Sequence, residues 1–269
     1  MTAQRHNLQR SNLIGLPWFS QPALKPSARN ATVLTALRRV GAIRDEALAQ
    51  ALMASLFRGI DFEGRRMLDI GGGDGVYSFY AAAMGACEVV CLEPEAEGSI
   101  GGERSTFESI REQLPHLPVR LVEKRLTDYQ DAAGFDIVTL LASINHLDED
   151  ACVRLHKDPS ARATYRQVFR HIASLTRPGG RIVIGDCTRH NLFAMLGLTN
   201  PLCPTIEWEK HQAPELWASL LAEAGFCKPR ISWEPLYRMG PAVQALLSNK
   251  VAAWFLKSFF RLEMERCAA

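Results

Sequence analysis

Apolar residues along this chain occur in two patterns that alternate with each other. Short continuous apolar runs predict buried strands, whereas longer stretches with an apolar residue every three or four positions predict amphipathic helices. The strands predicted from the short runs are 67–70, 88–92, 119–122, 136–141, 181–185 and 230–235. A seventh strand is predicted at 259–265, where Phe260, Leu262 and Met264 share one face.

Helical patterns occupy most of the remaining chain. The predicted helices are 30–40, 45–59, 76–85, 105–114, 164–176, 214–224 and 241–257. Asp45 is placed to cap the second helix, and Ser105-Thr106-Phe107-Glu108 predicts a capping box that opens the fourth. The Arg-Pro-Gly-Gly sequence at 177–180 predicts a turn, and the charged stretch 148–163 predicts a loop with a short helix.

The first predicted strand runs into a glycine-rich turn. Residues 71–75 are Gly-Gly-Gly-Asp-Gly, a sequence that lets the backbone turn sharply and approach a ligand closely. The helical pattern begins at Val76, so strand, turn and helix N-terminus form a cradle at the carboxyl end of a sheet strand. A plain glycine-rich turn without a ligand is the structural alternative.

A nicotinamide or flavin site is the competing interpretation of this cradle. Such a site requires Gly-x-Gly-x-x-Gly, and Val76 stands where its third glycine belongs. Asp74 would also bring a negative charge close to a pyrophosphate. A sulfonium amino acid has no phosphate, its ammonium group pairs with a carboxylate, and its own carboxylate suits a helix N-terminus. The chemistry of the turn therefore favours a sulfonium methyl donor.

The second predicted strand ends in an acid, Glu93, eighteen residues beyond Gly75. In a fold of this type the tip of the second strand lies beside the first. A carboxylate there can accept hydrogen bonds from both hydroxyls of a ribose. Together with the glycine turn, Glu93 predicts a ligand that carries a nucleoside.

Three segments resemble motifs of the class I S-adenosylmethionine-dependent methyltransferases. The Asp-x-Gly-x-Gly-x-Gly spacing of residues 69–75 resembles motif I of that family. Asp-x-Val at 136–138 is similar to its fourth strand, and Pro-Gly-Gly at 178–180 precedes an apolar strand as in the family. The resemblance covers about residues 66–228 and points to no subfamily.

The resemblance implies an α/β fold with a doubly wound, seven-stranded, mostly parallel sheet and an antiparallel last strand. It also implies an N-terminal helical lid and an inserted helix before the last strand. Residues 1–60 would form an arm and the lid helices, and 61–269 the S-adenosylmethionine-binding domain, in which 186–212 caps the substrate. The apolar cluster 13–19 needs burial over a pocket, on the core, or against a neighbouring chain in a homodimer.

The cofactor implied by the resemblance is S-adenosyl-L-methionine. The family places an acid near the adenine amino group after the third strand, which favours Asp128, with Asp131 as a rival. The implied cofactor-binding residues are Asp69, Gly71, Gly72, Gly73, Gly75, Glu93, Asp128 and Ala142.

Methyl transfer is an in-line displacement at a sulfonium carbon. The acceptor must be held against the methyl group and, if it is a hydroxyl, must lose its proton. His146 is the predicted base because it follows the fourth strand, whose carboxyl end faces the methyl group in this fold, and because imidazole titrates near neutrality. His211 is the second candidate and Asp186 the supporting acid, and each of the three has a purely structural alternative.

The segment 187–212 is longer than an ordinary strand-to-helix connection, and such loops are often functional. Phe193 and Trp208 are predicted to sandwich a flat or apolar acceptor, and Asn145 lies beside His146 after the fourth strand. Plain surface packing of this segment is the alternative. A magnesium site of the catechol type needs acids at both strand ends, and the fourth strand ends in Ala-Ser, so no metal is expected.

Composition narrows the class of protein. With 47% hydrophobic and 22% charged residues the chain is typical of a globular protein, and a formal net charge of +2 gives no basic footprint for nucleic acid. The seven cysteines include no Cys-x-x-Cys pair, which predicts reduced thiols in the cytoplasm rather than disulfides or zinc ligands. Neither a signal peptide nor an uncharged apolar run of ~18 residues is present, so no integral membrane association is expected. A membrane-surface helix at 251–262 is less favoured than core packing.

These observations predict a cytoplasmic S-adenosylmethionine-dependent methyltransferase that acts on a small molecule. The predicted acceptor atom is an oxygen. Nitrogen or carbon acceptors are the alternatives within this class. A nicotinamide oxidoreductase and a non-catalytic protein that retains the fold are the alternatives outside it.

Overall fold

The computed structural model describes residues 28–94, 103–237 and 239–268. Its strands form one seven-stranded sheet in the order β3-β2-β1-β4-β5-β7-β6. The strands are β1 (Arg66–Ile70), β2 (Glu88–Leu92), β3 (Val119–Val122), β4 (Phe135–Leu141), β5 (Thr176–Cys187), β6 (Phe226–Trp233) and β7 (Phe259–Arg266). Strands β1 to β5 pair in parallel, and β7 is antiparallel to both β5 and β6. The predicted sheet is therefore confirmed.

The helices precede, connect and follow these strands as the alternating pattern predicts. They are α1 (Ala28–Arg39), α2 (Glu46–Leu56), α3 (Val76–Ala83), α4 (Glu103–Gln113), α5 (Glu149–Arg154), α6 (Pro159–Leu175), α7 (Leu192–Met195), α8 (Pro214–Glu223), α9 (Pro241–Leu247) and α10 (Lys250–Phe255). Among the described residues, no helix combines the length and apolarity needed to cross a bilayer.

Both faces of the sheet are covered by helices. Leu68 of β1 belongs to the core that contains Phe169 of α6 and Trp217 of α8, whereas its neighbour Met67 belongs to the core that contains Phe79 of α3. Successive strand residues point to opposite faces. A parallel sheet buried on both faces needs apolar residues at consecutive positions, which explains the continuous apolar runs.

The two N-terminal helices are part of this core. Leu34 and Leu37 of α1 and Met53 of α2 are buried in the same cluster as Phe79. Their burial in the core gives them a structural role, and the predicted lid over the cofactor stays a prediction. Residues 1–27, which hold the predicted arm and the apolar cluster 13–19, lie outside the described residues.

Arg261 on β7 joins the sheet to the end of α2. Its side chain is 4% exposed, and its guanidinium donates to the carbonyl oxygens of Leu56 and Arg58 and to the carboxylate of Glu263. The same carboxylate pairs with Arg181 on β5. These acceptors replace the water that a buried guanidinium would otherwise require.

Two predicted helix starts are wrong. Helix α4 begins at Glu103, so Ser105 lies inside the helix and the predicted capping box is not the helix start. Glu103 and Arg104 are good helix formers that continue the helix toward its N-terminus. Helix α6 begins at Pro159, five residues before the predicted start, because Asp158 caps it by accepting from the Ser160 N–H and proline fits the first helical position.

The C-terminal elements also differ from their predicted bounds. Residues 241–257 form two helices, because the Asn249 side chain accepts from the Ala252 N–H and starts a second helix. Strand β6 begins at Phe226, and a register shift between Cys227 and Arg230 accommodates a proline that cannot donate to the ladder. The predicted turn 177–180 lies inside β5 as an irregularity opposite β4.

The expectation of seven free thiols is wrong at two positions. Cys227 and Cys267 form a disulfide, with their Cα atoms 5.8 Å apart. Cys227 lies on β6 opposite Glu265 of β7, so the antiparallel pairing brings the two cysteines together although 40 residues separate them. Their proximity follows from sheet register, which cysteine spacing alone does not reveal.

Candidate active site

The acid at the start of the glycine turn is held from two sides. Asp69 is buried at the end of β1, where its carboxylate accepts hydrogen bonds from Ser78 on α3 at 2.8 Å and Thr139 on β4 at 2.7 Å. Burial raises the pKa of Asp69, and the two hydroxyl donors oppose that shift. Asp69 thereby ties the first turn of α3 to the centre of the sheet.

The glycines of the turn have different roles. A Cβ on Gly71 would lie 2.5 Å from the Cβ of Ser143, so this glycine permits β1 and β4 to approach each other. Gly73 has φ +56°, and the nearest atom of the described residues to a Cβ built there is Glu103 Oε1 at 3.9 Å. Within the described part of the chain the face of Gly73 is therefore open and can receive a ligand against the backbone.

The structure brings Glu93 to this open turn. Its side chain is buried at the tip of β2, and its Oε2 accepts from the Gly73 N–H at 2.9 Å. Asp74 lies in the same turn, where burial raises the pKa of its carboxyl to about 6. Carboxylates beside an open glycine backbone match the hydroxyls and the ammonium group of S-adenosylmethionine, so the residues present fit this cofactor.

The two acids proposed for the adenine end differ in their surroundings. Asp128 is exposed in a short 3₁₀ turn after β3, where its carboxylate accepts from Thr127 at 3.2 Å. Asp131 pairs with Arg66 at the amino end of β1, whereas the glycine turn follows the carboxyl end of the same strand. The structure therefore gives Asp131 a structural role and shows no contact between Asp128 and the turn among the described residues.

A pocket opens at the carboxyl ends of β4 and β5, and we call it the acceptor pocket. Ala142 stands at its entrance from β4 with φ +54°, a conformation that non-glycine residues rarely adopt and that often marks functional sites. The pocket is lined by Ala142, Asn145, His146, Asp186, Cys187, Ile206, Glu207, Lys210, His211 and Phe259.

His146 lines this pocket with both ring nitrogens engaged. Nδ1 lies 2.6 Å from Oε1 of Glu149, and Nε2 lies 3.4 Å from Nδ2 of Asn145. Lys210 contacts the same glutamate at 3.2 Å. Burial alone would raise the pKa of Glu149, but the hydrogen bonds from His146 and Lys210 outweigh it and lower the pKa. His146 is thus held by its neighbours.

His211 forms the second histidine–carboxylate pair of the pocket. Its Nδ1 lies 3.0 Å from Oδ1 of Asp186, which also accepts from the Cys187 N–H. Burial alone would lower the pKa of His211, but the charge and hydrogen bond of Asp186 outweigh it and raise the pKa. Among the described residues, His211 Nε2 has no hydrogen-bond partner, so this nitrogen is available to a ligand.

The insertion reaches the pocket because polar contacts fix its course. Near its start, Asn191 and Asn200 are buried and donate to the backbone carbonyl of Leu256, at 3.0 and 2.6 Å. Near its end, Gln212 donates to the Cys152 carbonyl at 2.6 Å. These anchors place the segment 206–211 over the carboxyl ends of β4 and β5.

The predicted site residues are only partly brought together. Asn145, His146, Asp186 and His211 line one pocket, but Phe193 and Trp208 do not, and their predicted contact with a substrate stays a prediction. The sequence interpretation missed the pocket residues Cys187 and Lys210, and it missed Glu149, which contacts the pocket residues His146 and Lys210. Glu149 could have been considered, because an acid three positions after His146 is close enough along the chain to contact its ring.

Comparison with known proteins identifies the family. The family model described as a methyltransferase domain matches residues 40–228, more than half of the chain. No curated protein sequence matches the chain.

Solved structures share the fold at low sequence identity. The pyocyanin biosynthetic protein PhzM is 18% identical with a TM-score of 0.54, over 87% of this chain and 61% of its own, so the chain spans less than two thirds of that protein. The apo form of the S-adenosylmethionine-dependent methyltransferase SibL is 18% identical with a TM-score of 0.51, over 90% and 70%. A putative S-adenosylmethionine-dependent methyltransferase from Listeria monocytogenes is 13% identical with a TM-score of 0.54, over 82% and 100%. With the sheet order, the glycine turn and the family match in agreement, the chain belongs to the methyltransferase-domain family and has the sheet of the class I S-adenosylmethionine-dependent methyltransferases.

Proposed function

We propose that the protein transfers a methyl group from S-adenosylmethionine to an oxygen of a small molecule in the acceptor pocket, with His211 as the base. The observation that carries this proposal is the His211–Asp186 pair at the carboxyl end of β5. The sequence favoured His146, but the contacts of that ring with Glu149 and Asn145 leave His211 as the histidine with a free nitrogen.

The cofactor is assigned to the glycine turn. When bound, S-adenosylmethionine supplies an electrophilic methyl group. Glu93 would hold the ribose hydroxyls, the carboxylate of Asp74 would pair with the ammonium group, and the face of Gly73 would allow close approach. Asp69 acts indirectly by holding the turn, and Asp128 stays the predicted partner of the adenine amino group.

The acceptor is oriented by the polar groups of the pocket. A hydroxyl that donates to Nε2 of His211 loses its proton to that nitrogen as the methyl group is transferred, and Asp186 stabilises the resulting imidazolium. The buried Oδ1 of Asn145 has no hydrogen-bond partner among the described residues and is available to a second donor on the acceptor. Ile206 and Phe259 supply apolar contact.

Two features support a small molecule as the acceptor. The segment 186–212 covers the pocket with Ile206, Glu207, Lys210 and His211, which suits a ligand that can be enclosed. A formal net charge of +2 provides no basic surface for a polyanion. We therefore assign 186–212 as the cap of the acceptor pocket.

The proposal is tested in two steps. Calorimetric titration with S-adenosylhomocysteine and with NADH is expected to show binding of the former alone. Cell extracts are then incubated with the protein and a donor labelled in the methyl group, and the labelled product is identified by mass spectrometry and NMR. A small-molecule methyl ether supports the proposal, whereas label on nitrogen, carbon or a macromolecule contradicts it.

A further inference from the structure

We propose that Asp186, Cys187 and His211 form a binding site for a thiophilic divalent cation of the Zn²⁺ type in the wall of the acceptor pocket. Each residue offers one ligand atom, and these atoms lie within 4.8 Å of one another. All three residues also line the pocket, so an ion has a path to them. The expectation of no metal rested on the missing acid at the end of the fourth strand and on the absence of a Cys-x-x-Cys pair, and neither argument considers this mixed donor set.

The spacing of the three donors is close to that of a zinc site. Zinc binds sulfur, nitrogen and oxygen at roughly 2.0–2.3 Å, which places tetrahedral ligand atoms roughly 3.3–3.8 Å apart. To bring the three ligand atoms to the spacing of a zinc site, their side chains must shift by about 1 Å. Asp186 and Cys187 are fixed at the end of β5, and His211 at the end of the insertion, so two anchored elements supply the ligands.

An unpartnered carboxylate oxygen points independently to a cation. The Asp186 side chain is 2% exposed, yet its Oδ2 has no hydrogen-bond partner among the described residues. Buried polar atoms are almost always partnered, and a carboxylate oxygen most of all. The lysine that lines the pocket, Lys210, is held by Glu149 and Glu207 at 3.2 and 2.9 Å. A bound cation would satisfy this oxygen.

The donor set selects the ion. Sulfur with imidazole and carboxylate is a zinc combination, whereas magnesium takes oxygen ligands. Coordination replaces the S–H bond of Cys187 with a sulfur–metal bond and releases the proton to solvent. The resulting thiolate and the Asp186 carboxylate then neutralise the two charges of the ion. Three protein ligands leave a fourth position open to the pocket.

Bound zinc and base catalysis by His211 exclude each other. A neutral imidazole has one lone pair, and a ring that has given it to a metal cannot take a proton. Zinc is therefore expected to inhibit methyl transfer. This consequence rests on the proposed function, whereas the binding site itself does not.

The test uses the full chain without an affinity tag, stripped of metal. Titration with Co²⁺ is expected to produce a thiolate-to-cobalt charge-transfer band that saturates at one equivalent, and Zn²⁺ should abolish it while excess Mg²⁺ does not. In Cys187→Ser the band is lost and competition with a chromogenic chelator shows zinc affinity lowered by about 100-fold or more. His211→Ala should also weaken binding, which gives a second variant that keeps the thiol.

Matched controls separate this site from other thiols. Cys203→Ser removes a buried cysteine of the insertion and Cys87→Ser an exposed one, and both are expected to keep the band. Binding of S-adenosylhomocysteine checks the fold of each variant. Absence of the band in the wild-type protein, or its persistence in Cys187→Ser, overturns the proposed site. If zinc binds as described but does not slow transfer, the site stands and the assignment of the base to His211 fails.

Discussion

The Nδ1 atom of His211 lies 3.0 Å from Oδ1 of Asp186, although 25 positions separate the two residues. This contact orients the imidazole and leaves Nε2 as the nitrogen that can take a proton. His146 faces the same pocket, but Glu149 and Asn145 hold its ring. The two histidines therefore provide a direct comparison.

His211→Asn is expected to lower turnover by about two to four powers of ten, because a positioned base contributes that much to proton removal. His146→Asn is expected to change turnover by no more than about tenfold, since its ring is already engaged. Both variants should bind S-adenosylhomocysteine as the wild type does, which calorimetry can verify. The reverse order of effects would return the base to His146.

Asp186→Asn is expected to move the acid limb of the pH–rate profile to lower pH. The raised pKa of His211 means that activity, which needs neutral imidazole, is lost on acidification at a pH above the usual imidazole value. Without the charge of Asp186, burial dominates and lowers the pKa of His211. The profile of kcat/KM over pH measures this shift, and an unmoved acid limb would assign it to another group.

Affinity for S-adenosylhomocysteine is expected to fall as the pH is lowered through 6. The pKa of Asp74 is raised to about 6, and only its ionised form pairs with the ligand ammonium group. Below that pH the dissociation constant should rise about tenfold per pH unit. Asp74→Asn should bind more weakly at neutral pH and show a flat profile, as calorimetry at several pH values would reveal. A wild-type profile in this variant would place the titration elsewhere.

Gly73→Ala is expected to weaken S-adenosylhomocysteine binding by at least tenfold, roughly 1.4 kcal/mol or more. Among the described residues the methyl group would contact only Glu103 Oε1, at 3.9 Å, so it would project into space assigned to the ligand. Gly179→Ala is the matched control, because Gly179 also has a positive φ and open surroundings. Both variants should lose similar stability in urea unfolding. Equal ligand affinity of the two variants would show that the cofactor does not lie against Gly73.

Arg261→Ala is expected to lower the free energy of unfolding by roughly 3 kcal/mol, because it removes the buried donor to Glu263 Oε2 and to two backbone carbonyl oxygens. Arg230→Ala removes an exposed partner, 3.8 Å from the same Glu263 carboxylate, and should cost less than about 1 kcal/mol. Urea unfolding of both variants at neutral pH gives the comparison. Similar losses of unfolding free energy in the two variants would mean that the buried Arg261 stabilises the protein no more than the exposed Arg230 does.

The sheet could be predicted because a parallel sheet buried on both faces imposes continuous apolar runs. The approach of Glu93 to Gly73 was also predictable, since parallel neighbours end at the same edge of the sheet. These relationships depend on local pattern and on strand order, both of which a sequence carries.

Sequence alone could not show that His211 pairs with Asp186, and so could not rank His211 above His146 as the base. The pairing depends on the path of the insertion. That path is set by the hydrogen bonds of Asn191, Asn200 and Gln212 to backbone carbonyls far along the chain. His146 was favoured because it is near a strand end in sequence, a measure that ignores what the ring contacts. The disulfide was missed for the same reason, because it depends on the register between β6 and β7.

The position of β7 has a consequence for the protein while it is being made. Ribosomes deliver the N-terminal part first, yet β7 pairs between β5 and β6, and its first residue, Phe259, lines the acceptor pocket. A nascent chain that has reached β6 therefore contains the glycine turn but has an open edge on β5 and an incomplete pocket wall. Such an intermediate is expected to bind the methyl donor without turning it over, and to need shielding of the β5 edge until translation supplies β7.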